Sequence, residues 1–231
     1  MSFWRTLADL LLPRHCVVCD AELACSEKYV CNVCLMKHHM IQWPSAEDNP
    51  LLRVLWNSHD VERAGSSFFY NTSQEFHNLF LEIKYHGCPH LGKIMASEAF
   101  PYWQTLGLGV GADCIIPVPL SRRRRLQRGY NQSEWIARGV SEVSGIPVRT
   151  DILRRIKDNE SQTHKNAWQR KENTRGIFAV REDCESLDGK TILLVDDIFT
   201  TGATVAACIH ALKESFPLVC IHVYTLGRAG G

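Results

Sequence analysis

The chain has 231 residues and a formal net charge of +1, with 26 Lys and Arg against 25 Asp and Glu. A nucleic-acid footprint must therefore be local rather than spread over the whole surface, while the length suits one medium domain beside a small one, with a real buried core. No apolar run is long enough to cross a membrane, and residues 1–13 lack a signal peptide's basic start, continuous apolar stretch and small-residue cleavage site, so a cytoplasmic location is expected.

In chain order, Trp4, Leu7 and Leu11 share one stripe with Arg5 and Asp9 interspersed, which predicts an amphipathic helix ending near Pro13. Five of the ten cysteines follow at once: Cys16, Cys19, Cys25, Cys31 and Cys34. In a reducing compartment, clustered cysteines point to metal rather than disulfides. Cys16-Val-Val-Cys19 and Cys31-Asn-Val-Cys34 are two C-x-x-C knuckles separated by 11 residues, a pattern that can build a tetrahedral thiolate cage for structural Zn²⁺. Cys25 is either a free thiol or a competing ligand, and His15, His38 and His39 are further candidates. Cys88, Cys114, Cys184, Cys208 and Cys220 are scattered, mostly in apolar surroundings, as expected of small buried thiols. Pro44, Pro50 and an acidic-polar run mark a connector over 46–62 with one short helix, which divides a small unit (1–45) from a large domain (63–231).

Ser67-Phe-Phe-Tyr70 reads as a strand, and Gln74 to Tyr85 as a helix with Phe76, Leu79, Phe80 and Ile83 on one face. Lys84-Tyr-His-Gly87 closes that helix, either as a plain basic last turn with a glycine cap or as part of a ligand site. A second helix is predicted over 91–106, then a strand, Cys114-Ile-Ile-Pro-Val-Pro119, ending at prolines that cannot continue a ladder. The loop that follows carries Arg122, Arg123, Arg124, Arg125, Arg128, Asn131 and Gln132. Ligands in open α/β sheets bind beyond the strand carboxyl ends, and arginine forks with amide donors suit a diphosphate. Arg122 to Arg124 are equally a solvated basic face. A helix over 133–143 and a strand over 146–152 come next. The polar, cation-rich stretch from Arg154 to Gly176 reads as a closing flap or a surface excursion.

Ile192-Leu-Leu-Val195 lacks alternation, as in a parallel strand covered on both faces. Asp196 and Asp197 are expected where the strand leaves the sheet, followed by Thr200-Thr-Gly-Ala-Thr204 and a helix with Val205, Cys208, Ile209 and Leu212 on one face. The turn then sits at a helix N-terminus, which favours an anion. The two acids suit vicinal sugar hydroxyls, or a metal held through them. A last strand is predicted over 218–224, with a frayed tail from Gly227 to Gly231.

This order of aliphatics, acidic pair and Thr-Thr-Gly-Ala-Thr resembles the phosphoribosyl diphosphate (PRPP) signature of type I phosphoribosyltransferases. Phe199 stands where that family usually has an aliphatic residue, and neither a P-loop nor a dinucleotide glycine motif is present. Trp4-x-x-Leu7 with Leu10-Leu-Leu-Pro13, the knuckles, Ile116-Pro-Val-Pro119, Arg128-Gly-Tyr-Asn-Gln132 and the Arg154/Gln162/Arg170/Asn173 spacing extend the likeness. Nearly the whole chain resembles the ComF family of competence-associated phosphoribosyltransferase-like proteins.

That resemblance implies an α/β protein of type I phosphoribosyltransferase fold, a central mostly parallel sheet flanked by helices, with a small N-terminal zinc ribbon-like module. It implies PRPP as ligand, with Mg²⁺. Asp196 and Asp197 would hold the ribose hydroxyls and act as the catalytic pair, and Thr200, Thr201, Gly202, Ala203 and Thr204 would hold the 5′-phosphate. Arg125, Arg128, Asn131 and Gln132 would form the diphosphate loop, and Arg155, Gln162 and Arg170 the flap. The implied function is pentosyl transfer to an unidentified acceptor, in a protein associated with DNA uptake and natural competence. Two other readings stand beside it. One is a non-catalytic PRPP or nucleotide sensor. The other is a single-stranded DNA-binding adaptor with competence proteins as partners, using Arg122 to Arg125 with Tyr130, Trp135 or Trp168.

Overall fold

A computed structural model describes residues 13–25, 27, 29–37, 40–55, 61–70, 76–85, 87–157 and 176–230. The helix expected before Pro13, together with His38, His39, Gln162, Trp168, Arg170 and Asn173, lies outside them. The elements are α1 (Asn32–Lys37), α2 (Pro50–Leu55), β1 (Arg63–Tyr70), α3 (Phe76–Tyr85), α4 (Pro89–Thr105), β2 (Cys114–Pro117), α5 (Arg122–Arg128), α6 (Gln132–Ser144), β3 (Leu153–Arg155), β4 (Phe178–Val180), β5 (Thr191–Phe199), α7 (Ala203–Ser215) and β6 (Cys220–Ala229).

The sheet has the order β1-β6-β5-β2, every pair parallel, and Val148 adds one parallel bridge to Ile115 at its edge. β5 is central because it is apolar on both faces. Ile192, Leu193, Leu194 and Val195 have no exposed surface, and each such side chain contributes about 1.5–3 kcal/mol by burial. Leu193 and Val195 pack with Phe100, Trp103 and Ile136 of α4 and α6, while Ile192 and Leu194 pack with Cys208, Ile209 and Leu212 of α7. The two layers follow from the two-residue alternation of a strand. α4 and α6 approach closely because Gly139 has no side chain: a Cβ there would overlap the Lys93 carbonyl oxygen.

The cysteine segment is continuous with this core. Cys16, Val18, Val30, Cys31 and Cys34 belong to the same apolar cluster as Phe100 and Trp103. The stretch leading into the connector is fastened too: Ile41 N–H donates to the Ser67 carbonyl (2.8 Å), Tyr102 Oη donates to the Trp43 carbonyl (2.9 Å), and Trp43 stacks edge-on to Trp103 at 5.9 Å.

Four local expectations change. Asp196 and Asp197 lie inside β5, which runs on to Phe199, because Asp196 pairs in register with Thr225. The arginine stretch is not all loop: Arg122–Arg128 is a helix, capped by the Ser121 hydroxyl accepting from Arg124 N–H (3.3 Å) and ended by Gly129 at φ 78°. The strand over 146–152 reduces to its single bridge at Val148, and β3 instead pairs antiparallel with β4. The tail is not frayed as far as Ala229, since Gly227 pairs with Phe68 and Ile198, and a Cβ on Gly227 would come 2.5 Å from Phe80.

Candidate functional site

At the carboxyl ends of the parallel strands lies a cleft of about 330 Å³. A larger one, about 770 Å³, separates the cysteine segment from α4 and α6, lined by Glu27, Asn32, Lys93, Glu98 and Glu142 among others. Size alone does not choose between them. Only the smaller gathers buried acids, cations from three elements and a helix start.

Asp196 and Asp197 form its floor, each 7 % exposed. Asp196 Oδ1 accepts from the Ser133 hydroxyl (2.9 Å) and from Asp197 N–H (2.9 Å). Asp197 Oδ1 accepts from Ile198 N–H (2.7 Å), and its Oδ2 accepts from Gln132 Nε2 (2.9 Å) and pairs with Lys84 Nζ (3.1 Å). Burial, joined by the Asp197 charge beside it, pushes the Asp196 carboxyl up to about 7. Burial acts to raise Asp197 as well, but the Lys84 charge and the hydrogen bonds from Lys84, Gln132 and Ile198 overcome it and hold that carboxyl below the usual range. Two adjacent acids thus have opposite protonation tendencies, the arrangement in which one can carry a proton and the other a charge.

The acids are reached from two helices. Asn131 caps α6, its Oδ1 accepting from Ser133 N–H (3.1 Å) while its Nδ2 donates to the Val118 carbonyl (3.0 Å). This fixes Gln132 and Ser133 over β5. Lys84 is placed by its neighbours: Tyr130 Oη donates to the Ile83 carbonyl (2.8 Å), and Arg128 donates to Tyr85 Oη (3.2 Å) with its guanidinium 4.7 Å from that ring's centre. The cationic walls are Arg124, Arg128 and Arg155, and Thr200 and Thr204 close the remaining side. Gly202, at φ 76°, turns the chain into α7, whose first N–H groups have no intrahelical acceptor. A Cβ on Gly202 would meet Phe199 Cζ at 2.6 Å, so that unusual phenylalanine and the glycine are packed as a pair.

Of the residues expected from sequence, Asp196, Asp197, Thr200, Thr204, Arg128, Gln132 and Arg155 converge on the cleft. Thr201, Gly202 and Ala203 shape the turn, with the Thr201 hydroxyl accepting from Ala203 N–H (3.4 Å). Arg125 is not among the lining residues, where Arg124 stands instead, and Asn131 spends both ends of its amide on structure. Gln132 faces Asp197. Lys84, open between two roles on sequence alone, is the acids' counter-charge, and Ser133, which the sequence marks only as the start of a helix, braces Asp196.

The four knuckle sulfurs, of Cys16, Cys19, Cys31 and Cys34, lie within 4.8 Å of one another, with Cys19 and Cys31 at 3.7 Å. A tetrahedron with Zn–S bonds of about 2.3 Å has edges of about 3.8 Å, so this cage fits zinc. Cys16 Sγ accepts from Cys31 N–H (3.3 Å), Cys31 Sγ accepts from Cys34 N–H (3.4 Å), and Asp20 at φ 59° turns the first knuckle back. Glu62, Cys220 and His222 also lie close together, but His222 Nδ1 accepts from Gly109 N–H (3.1 Å). That bond puts the imidazole's proton on Nε2, leaving no lone pair there for a metal. Burial holds this imidazole neutral, its pKa pushed down to about 4.

A parallel α/β sheet with an acidic pair inside its central strand, a threonine-glycine turn beyond it and a facing cationic wall defines a phosphoribosyltransferase-type domain, and residues 131–230 match the phosphoribosyl transferase domain. The chain is 32% identical to competence protein F of Haemophilus influenzae over 51% of each chain, and 32% identical to competence protein ComFC of Bacillus subtilis over 50% of this chain and 44% of that one. It thus spans about half the length of these two relatives. It is 27% identical to the DNA utilization protein YhgH of Salmonella typhimurium over 89% of this chain and 93% of that one. The chain is similar to these competence and DNA utilization proteins, and it has a phosphoribosyltransferase fold. Among the described residues no helix is long and apolar enough to cross a membrane.

Proposed function

We propose that the chain binds PRPP through this cleft and transfers its phosphoribosyl group, in a protein that serves DNA uptake. The observation that carries the reading is the convergence of the Lys84-, Gln132- and Ser133-braced acids with Arg124, Arg128, Arg155 and the start of α7. The 5′-phosphate takes the N–H groups and hydroxyls at Thr200–Thr204, the ribose hydroxyls meet the acids, and the diphosphate lies toward the arginines. As the bond from C1 to the diphosphate oxygen breaks, charge gathers on the leaving group and a cationic centre forms on the sugar. Arg124, Arg128, Arg155 and Lys84 stabilise the first; the buried carboxylates stabilise the second. Mg²⁺, held through waters and substrate oxygens near Asp196 Oδ2, which accepts no hydrogen bond among the described residues, would neutralise diphosphate charge. Zn²⁺ in the Cys16, Cys19, Cys31, Cys34 cage is structural on this reading, because four thiolates leave it no open position. The residue ranges 1–45 and 63–231 then divide metal module from transferase.

Calorimetric titration of the zinc-loaded chain with PRPP and Mg²⁺, followed by diphosphate release with a panel of bases and amines, is the test. Saturable binding with acceptor-dependent release is expected. No binding overturns the reading, and tight binding without release from any acceptor replaces the transferase with a sensor.

One surface supports a DNA role beside it, as the names of the relatives do. α5 buries no residue, and the exposed Arg122, Arg123 and Arg125 side chains have no partner among the described residues. Replacing these three with glutamine is expected to lower the salt slope of single-stranded DNA binding by roughly 0.7 per arginine. Binding that is absent, or indifferent to salt, removes that role.

A further inference from the structure

Gln132 is the first residue of α6 and is 4 % exposed. Its Nε2 donates to Asp197 Oδ2, and because a carboxylate only accepts, the orientation of the amide is fixed by chemistry. Oε1 must then face the other way. That oxygen is buried and has no hydrogen-bond partner among the described residues, although Gln132 lines the cleft. Buried amide oxygens are rarely left so unless something else brings the donor. Diphosphate oxygens cannot, since they only accept and would be repelled. The donors on a sugar phosphate are its ring hydroxyls. Lys84 Nζ pairs with Asp197 Oδ2 at 3.1 Å and is not a partner of this oxygen.

We infer, resting on the PRPP reading above, that Gln132 selects the sugar: its Oε1 accepts a hydrogen bond from one of the two vicinal ribose hydroxyls, while its Nε2 holds Asp197 for the same ring. A deoxy sugar would leave Oε1 buried and unpaired, and a site built to bond a hydroxyl discriminates strongly against an analogue that lacks it. Ser133, the next residue, braces Asp196, so one helix start sets both carboxylates and the hydroxyl acceptor.

The test compares binding of ribose 5-phosphate, 2-deoxyribose 5-phosphate and 3-deoxyribose 5-phosphate to the zinc-loaded wild type, Gln132→Met, Asp197→Asn and the double variant. Wild type is expected to prefer ribose 5-phosphate over one deoxy sugar by more than about tenfold, and Gln132→Met to cut that preference about tenfold. The cut should persist in the Asp197→Asn background. A wild type that binds all three sugars equally overturns the inference without any variant. A cut that vanishes in the Asp197→Asn background also overturns it, because Gln132 then acts only by orienting Asp197. A wild type that binds none of the three overturns this inference, and the PRPP reading falls with it only if PRPP with Mg²⁺ is not bound either; one that binds them with a preference Gln132→Met leaves intact removes this inference alone.

Discussion

At pH 8 the Asp196→Asn protein, free of ligand, is expected to melt above the wild type, by a margin on the order of 10 °C at most, and to bind PRPP at least about tenfold more weakly. Asp196 is buried beside the ionised Asp197, and its carboxyl is pushed up to about 7. The folded state therefore binds its proton more tightly than the unfolded chain does. Such a group gives its full stability below the unfolded value, near pH 4, and that contribution is lost as pH rises through the folded value near 7. The loss approaches about 4 kcal/mol at pH 8. Asparagine removes it while its Oδ1 keeps the bonds from Ser133 and Asp197 N–H. Thermal melts from pH 4.5 to 8.5 should show the two proteins converging at the acid end and diverging above neutrality. A constant gap, or a less stable variant at pH 8, would show that Asp196 does not carry this strain. The weaker PRPP binding follows because the neutral amide no longer offers a carboxylate to the sugar.

Stripping the metal from the cysteine cage, or replacing Cys34 with serine, is expected to destabilise the whole chain and not the first segment alone. Structural zinc supplies roughly 10–16 kcal/mol to isolated fingers at neutral pH; here several kcal/mol should appear in the main unfolding transition. The reason is packing: Cys16, Cys31 and Cys34 sit in one apolar cluster with Phe100, Trp103 and Val195. Burial raises the Cys34 thiol, whereas backbone N–H groups, outweighing burial, bring Cys16 down to about 7. The metal-free cage thus keeps protons that metal must displace, and affinity should climb with pH. Far-UV melting with and without chelator, then after one equivalent of zinc, decides it. A sheet transition unmoved after verified metal removal would mean that the cage is thermally independent.

What could be read in the sequence was what is local. The unbroken aliphatics of Ile192–Val195 announce a two-faced strand, and Asp196 to Thr204 announce an acidic pair followed by a turn into a helix, because strand, acids and helix start are contiguous. α5 escaped because Arg-Arg-Arg-Arg-Leu-Gln-Arg has no apolar face: Leu126 is 79 % exposed, and the helix rests on its Ser121 and Gly129 caps. The composition of residues 146–152 suits a strand, yet only Val148 finds a partner in the sheet. Lys84 and Ser133 act across 113 and 63 residues of sequence, and no spacing rule joins them to Asp197 and Asp196. A lysine in a helix's last turn is ambiguous until the fold shows what lies opposite.

The bracing of α3 by Arg128 and Tyr130 has a consequence for engineering. Arg128-Gly-Tyr-Asn-Gln132 looks portable, a short motif that could be lifted onto another α/β scaffold. Yet Tyr130 serves by holding the end of another helix and Asn131 by capping its own, while Arg128 divides itself between the cleft and Tyr85. A graft would carry the arginine and the amides but leave Lys84 behind, and with it the charge that keeps Asp197 ionised. The unit that can be transplanted is the strand, both helices and the lysine together.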